Sequence, residues 1–256
     1  MRIATWNVNS IRARHERLLA WLDRQRPDAL CLQETKIEDG TFPEEAYREV
    51  GYRAAFHGQK TYNGVAILSL DRPVDVQCGL DDGVDDPQAR CLAATVGGVR
   101  LISVYVPNGQ AVGTPAFEYK LRWLERLHGL LVRSRASEGA VAVCGDFNVA
   151  PDDRDVHDPA AWRDQLLCHP DERAAVARLV DLGFRDGYRL HHHEGGAFTW
   201  WDYRGLSFPK NLGLRIDHVL LSPSLARTCR SVEIDRNERK GPRPSDHAPV
   251  VVEVEP

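Results

Sequence analysis

The 256-residue sequence carries 33 basic and 37 acidic side chains, a formal charge of -4, and is 43% hydrophobic. That length can bury a substantial core, and no long Pro, Gly or Ser-rich stretch divides it, so the chain reads as one domain, residues 1–256. The charge is not that of a protein coating bulk nucleic acid, although a local basic face remains compatible with it. No apolar run approaches the ~18 residues of a membrane span, and the first residues lack the parts of a secretion signal, which predicts a cytoplasmic protein.

Residues 2–9 read as a buried strand with a polar end. Residues 10–25 have helical periodicity, with Ile11, Leu18, Leu19 and Leu22 on one side, and Pro27 closes them. Residues 29–33 form a second apolar strand that runs out into Glu34-Thr35-Lys36. A strand-helix-strand unit sets its strands side by side, so Asn7 and Glu34 are expected to meet at one sheet edge. Asn63-Gly64, a turn pair, leads into a strand at 65–70. Strands at 90–96 and 99–106 flank Gly97-Gly98, a hairpin signal, and the second arm ends at Tyr105-Val106-Pro107-Asn108. The acidic stretch 81–87 lacks the twelfth-position glutamate of a calcium loop and reads as solvated. Residues 115–137 are an amphipathic helix, with Phe117, Leu121, Leu124, Leu127 and Leu131 at three- and four-residue spacing.

Residues 140–144 carry no charge and read as a buried strand ending in Gly145-Asp146-Phe147-Asn148. Gly145 permits a turn there, and strand-like alternation sets Asp146 and Asn148 on one side with Phe147 pointing back into the core. A carboxylate and an amide facing one cavity supply what metal-assisted hydrolysis needs. A polar strand exit capping the next helix is the alternative. After Pro151 comes a polar, helix-rich excursion with Trp162 and a periodic run at 174–182. His191-His192-His193-Glu194 reads as an exposed loop, because consecutive side chains diverge. The aromatic stretch 198–203 is open to two readings, core packing or a platform for an unstacked base or sugar. Residues 215–221 are a strand with Asp217 embedded, a charge that requires a partner. Asp246 and His247 precede the last strand, 250–254, and face different ways. His247 is therefore matched with Asp217, leaving Asp246 free for a metal. The six cysteines, at 31, 78, 91, 144, 168 and 229, show no Cys-x-x-Cys spacing and read as buried free thiols.

Seven stretches occur in order: Thr5-Trp6-Asn7-Val8-Asn9, Leu32-Gln33-Glu34-Thr35-Lys36, Asn63-Gly64-Val65-Ala66, Tyr105-Val106-Pro107-Asn108, Gly145-Asp146-Phe147-Asn148, Arg215-Ile216-Asp217 and Ser245-Asp246-His247. Together they resemble the exonuclease III family of abasic-site endonucleases, within the superfamily of endonucleases, exonucleases and phosphatases. The resemblance implies an α/β fold, a four-layered α-β-β-α sandwich of two mixed, DNase I-like sheets. It implies a Mg²⁺-dependent DNA-repair nuclease, with Mn²⁺ able to substitute, that acts as a monomer on double-stranded DNA. Such an enzyme hydrolyses the phosphodiester 5′ to abasic sites, with 3′-to-5′ exonuclease and 3′-phosphatase activity at 3′ ends.

The metal group it implies is Glu34 with Asn7 and Asp246 close by, and Asp146, Asn148 and His247 around it. Asp146 would orient or deprotonate the attacking water, helped by Asn148, and Tyr105 and Asn108 would contact the phosphate. His247, held by Asp217, would stabilise charge or act as base. Trp200, Leu214 and Ile216 would form an apolar pocket for the baseless sugar, and Lys36, Asn63 and Arg204 would contact DNA. Lys210, Lys240 and Arg243 are further phosphate contacts or solvated surface. A phosphatase of inositol phosphates or phospholipids and a binding protein without chemistry are the rival functions.

Overall fold

A serine and a left-handed arginine set the limits of helix α1 (Ile11–Gln25). Ser10 Oγ accepts from Ala13 N at its start, and Arg26, at φ 45, returns its N–H to Leu22 O at its end. The face carrying Ile11, Leu18, Trp21 and Leu22 is fully buried and, with Tyr47 of α2 (Glu44–Glu49), covers one sheet. The computed structural model describes residues 1–135 and 139–255.

The sheet beneath α1 holds β1 (Arg2–Asn7), β2 (Ala29–Gln33), β3 (Arg53–His57), β4 (Val65–Ser69), β11 (Cys229–Ile234) and β12 (Val250–Val254), in the order β11-β12-β1-β2-β4-β3. β1 and β2 run parallel and their neighbours antiparallel. The second sheet holds β5 (Val74–Cys78), β6 (Cys91–Val96), β7 (Val99–Tyr105), β8 (Ala140–Asp146), β9 (Arg185–Asp186) and β10 (Asp217–Leu221), in the order β5-β6-β7-β8-β10-β9. Here β7 and β8 are the parallel pair. Inward-facing residues of both sheets, among them Ile3, Cys31, Ile67, Leu101, Cys144, Val219 and Val252, make the central core. On the outer side of the second sheet, α3 (Pro115–Arg135) and α4 (Pro170–Asp181) bury Leu124, Leu127, Val176 and Leu179 against Val141, Val143 and Phe147. Four layers result, α-β-β-α, from two mixed sheets.

Register puts the polar tips together. Asn7 pairs with Gln33, one residue before Glu34, in the first sheet. In the second, Tyr105, Asp146 and Asp217 lie opposite one another in a single row across β7, β8 and β10. Asp217 therefore begins its strand rather than lying within it, and its carboxylate, though fully buried, lies at the end of the sheet where the polar tips meet.

Gly145 also differs from its sequence reading. It lies inside β8, opposite Val104 and His218, and a Cβ there would stand 1.9 Å from the Val104 carbonyl oxygen. Close strand approach, not a turn, requires glycine. The turn comes at Asn148, at φ 50. The Gly97-Gly98 hairpin forms as expected, with φ 54 and 81. Helix α4 starts at Pro170, earlier than its periodic run, behind a capping box of His169 and Glu172. The expected end of α3 at Ser137 lies outside the described residues. All six thiols are free, but Cys78 is exposed on edge strand β5 and Cys229 is half-buried. The acidic loop at 81–87 is tied down, with Arg126 binding Asp82 and Asp86.

Candidate active site

Asn7, at the tip of β1, is fully buried and joins the two sheets. Its Nδ2 donates to Glu34 Oε1 at 2.8 Å and to Asp146 Oδ2 at 2.9 Å. Asp146 Oδ1 accepts the Asn148 N–H at 2.8 Å, and Asn148 Nδ2 reaches Val106 O at 3.0 Å and Asp146 Oδ2 at 3.3 Å. Asn148 thus faces Asp146 through a left-handed turn, not through strand alternation. Asn108 Nδ2 donates to Asn148 Oδ1 at 3.2 Å, and Phe147 is fully buried.

His247 is placed from three directions. Ser245 Oγ donates to Asn7 O and accepts the His247 N–H, while Trp6 Nε1 donates to His247 O. The ring sits with Nδ1 2.8 Å from Asp217 Oδ2 and Nε2 3.7 Å from Asp146 Oδ2. Thr199 Oγ1 accepts the backbone N–H groups of Ile216 and Asp217, fixing the carboxylate that holds the imidazole.

The charges follow from this geometry. Burial opposes a charged His247, but Asp217 and then Asp146 outweigh it and push the imidazole up to about 10. Burial, reinforced by Asp217 and Glu34 and opposed by His247 and Asn7, pushes Asp146 up to about 7. Burial, with Glu34 and Asp146 nearby, holds the Tyr105 hydroxyl well above its usual range, so it remains a donor. The Arg90 guanidinium lies 4.6 Å from the Tyr105 ring centre. Glu34, Asp146 and Asn148 occupy an edge where backbone strain collects, Glu34 at φ 52, Lys36 at 53 and Asn63 at 55.

Glu34, Asp146 and His247 each offer a ligand atom within 4.8 Å of the others. Two carboxylates with an amide between them suit a hard divalent cation, and a buried Asp146 that resists ionisation calls for positive charge beside it. The donor set fits a metal.

The model of the Endonuclease/Exonuclease/phosphatase family matches residues 4–247. The chain belongs to the endonuclease/exonuclease/phosphatase family. Its exonuclease III branch is shown by exodeoxyribonuclease III of Haemophilus influenzae, 34% identical over 99% of both chains. A 3′ phosphatase, NExo, from Neisseria, solved with a product DNA hairpin, is 45% identical at a TM-score of 0.97, with 100% of this chain and 99% of that one covered. An AP endonuclease from Archaeoglobus fulgidus is 40% identical at 0.96, with both chains covered in full. The exonuclease III branch is a nuclease family that hydrolyses phosphodiester bonds, and among the described residues no helix is long and apolar enough to cross a membrane.

Within this exonuclease III fold the remaining expected residues are placed unevenly. Asp246 is not free: its oxygens accept from Asn9 Nδ2 at 2.9 Å and Trp200 Nε1 at 3.1 Å, and it stays out of the 4.8 Å group. Burial opposes its ionisation, yet His247, Asn9 and Trp200 hold it below the usual carboxylate range. Lys36 Nζ binds Glu34 Oε2 at 2.8 Å and Asn9. Asn63 turns to Gln59 and Gln88. Leu214 and Ile216 are 0% and 2% exposed, enclosed with Val156, Leu167 and Cys168, and Trp200 lies half-buried against them. Phe198 and Trp201 belong to the core, whereas Tyr203, Arg204, Lys210, Lys240 and Arg243 are exposed. His192 binds Val232 O while His191 and His193 stay exposed. Arg90, Thr199 and Lys120, which carries two site loops, escape a motif-based reading because each acts on a neighbour rather than on the cavity.

Proposed function

We propose that the protein is a Mg²⁺-dependent DNA-repair nuclease, with Mn²⁺ able to substitute, that incises duplex DNA 5′ to abasic sites and trims 3′ ends. The observation that carries this reading is the convergence of Glu34, Asp146 and His247 within 4.8 Å where the two sheets meet. Glu34 and Asp146, braced by Asn7, would hold the cation, which would offset charge on the phosphate oxygens. The ionised Asp146 carboxylate, made more basic than usual by its burial, would take a proton from the attacking water. His247, charged through Asp217, donates from Nε2 to a phosphate oxygen and acts as electrostatic stabiliser rather than base. A charged imidazole has no lone pair to offer, so in this reading Glu34 and Asp146 would be the metal ligands and His247 the donor to the phosphate. Tyr105 and Asn108 donate to the same phosphate, and Asn148 aims Asn108 and Asp146. Lys36 and Arg204 lie along the DNA path. We place the enzyme in the cytoplasm as a one-domain monomer.

A second reading, in which 3′-end processing dominates, is favoured by the enclosure of Leu214 and Ile216, which leaves a flipped sugar little open apolar wall. The Neisseria relative, a 3′ phosphatase, lends it support.

One experiment separates them. Three labelled duplexes, with an internal abasic analogue, a recessed 3′ end and a 3′-phosphate, are incubated with Mg²⁺ or EDTA. Incision at the abasic site with Mg²⁺ alone supports the first reading; action on 3′ ends alone selects the second. Full activity in EDTA sinks both. Parallel tests on inositol phosphates and phospholipid headgroups address the rival phosphatase.

A further inference from the structure

Lys120 is fully buried on α3, on the face shared by Phe117, Leu124 and Leu127, where an apolar side chain is the rule. Its ammonium donates to Asn148 O at 2.6 Å and to Asn108 O at 3.1 Å, and it pairs with Glu172 of α4, which is equally buried. Three acceptors match its three protons. Two of them are the main-chain carbonyls of the residues whose amides bond each other at the mouth of the site. Asn148 stands in a left-handed turn that asparagine tolerates, and the Lys120 bond to its carbonyl adds to those its N–H and amide already make.

Resting on the nuclease reading above, we propose that Lys120 is a positioning residue for phosphodiester hydrolysis. It fixes the 108 and 148 peptides so that Asn108 meets the phosphate and Asn148 keeps Asp146 aimed. The bland alternative is that Lys120 only neutralises Glu172. Glu172, however, has a separate task, accepting the His169 N–H at 3.0 Å to cap α4. Linking α3 to α4 is already served by apolar contacts such as Leu124, Leu127, Val176 and Leu179, and would not require two carbonyls from site loops.

Three full-length variants test this: E172Q, K120M and K120M/E172L. K120M strands a buried carboxylate and melts early; the double variant removes both charges and recovers most of the melting temperature. E172Q, which keeps the ammonium and an acceptor, is expected to retain kcat within about threefold, because the two carbonyl ties remain. For K120M/E172L the expected result is KM within about threefold and kcat about 100-fold down, the cost of a small misplacement. Wild-type kcat in the double variant would reduce Lys120 to a counter-ion and overturn the proposal. If the double variant does not fold, K120M assayed below its melting temperature takes its place, with the same expected and overturning results. A crystal structure of the folded variant separates this failure from failure of the nuclease reading. Displaced Asn108 and Asn148 peptides support the positioning role whatever the protein does to DNA, and unmoved peptides refute it.

Discussion

One amide, Asn7 Nδ2, lies 2.8 Å from Glu34 Oε1 and 2.9 Å from Asp146 Oδ2, tying together carboxylates that descend from different sheets. Two anions this close repel unless a donor or a cation stands between them. Asn7→Ala removes the donor and leaves the cation to do both tasks. Mn²⁺ binding, followed by electron paramagnetic resonance, is expected to weaken about tenfold, and kcat/KM to fall about 100-fold. Unchanged Mn²⁺ affinity would show that Asn7 does not brace the ligands.

The pairing of His247 with Asp217 is expected to set the alkaline limit of activity. The imidazole, at about 10, stays charged across neutral pH. His247→Ala is expected to lower kcat about 1000-fold with KM for DNA within a few-fold. Asp217→Asn removes the largest support for the cation, so the imidazole titrates lower and the alkaline limb of the pH-rate profile moves down by at least about one unit. An unmoved limb would detach His247 from that ionisation.

The same two groups make folding stability depend on pH when no metal is bound. Asp146 rises from an ordinary 3.8 to about 7 on folding, and His247 from 6.5 to about 10. Both therefore favour the folded state when protonated, and their contribution is lost as pH climbs, Asp146 between about 4 and 7 and His247 between about 6.5 and 10. Melting temperature in EDTA should fall from pH 5 to pH 9, and the increment given by Mn²⁺ should grow over the same range. A Mn²⁺ increment that shrinks with rising pH would contradict this.

Gly145→Ala would set a methyl group 1.9 Å from the Val104 carbonyl oxygen, between parallel strands that cannot part without breaking the row holding Tyr105, Asp146 and Asp217. A loss of about 3 kcal/mol or more is expected from urea denaturation, with activity falling in step. Retention of full stability would mean that β7 and β8 yield more easily than their burial suggests.

Sequence pattern captures what is local and misses what depends on a distant neighbour. The apolar runs at 29–33 and 250–254 coincide with β2, buried throughout, and with β12, buried except at Glu253. Gly145 is ambiguous in sequence, since a glycine needed for a tight crossing looks the same as one needed for a turn. Alternation correctly turns Asp246 and His247 to different sides, but cannot reveal that Asn9 and Trp200 wait on the Asp246 side. Lys120 and Glu172 left a legible trace, a charge of each sign on the apolar stripe of successive helices. The stripe rule reads each as an exception and does not pair them. The Arg215 guanidinium is a comparable case: it is buried among Asp155, Asp186 and His218, and no sequence motif links those positions.

The β1–β2 side brings Asn7 and Glu34 to the site, and the β7–β8–β10 side brings Tyr105, Asp146 and Asp217. On the proposed chemistry neither sheet alone holds the full set of groups. A nascent or half-melted molecule with one sheet formed is therefore expected to leave DNA uncut, with cutting power arriving only on the final docking event. Regain of activity after denaturant dilution should consequently lag behind regain of strand signal, a delay that doubles as a safeguard.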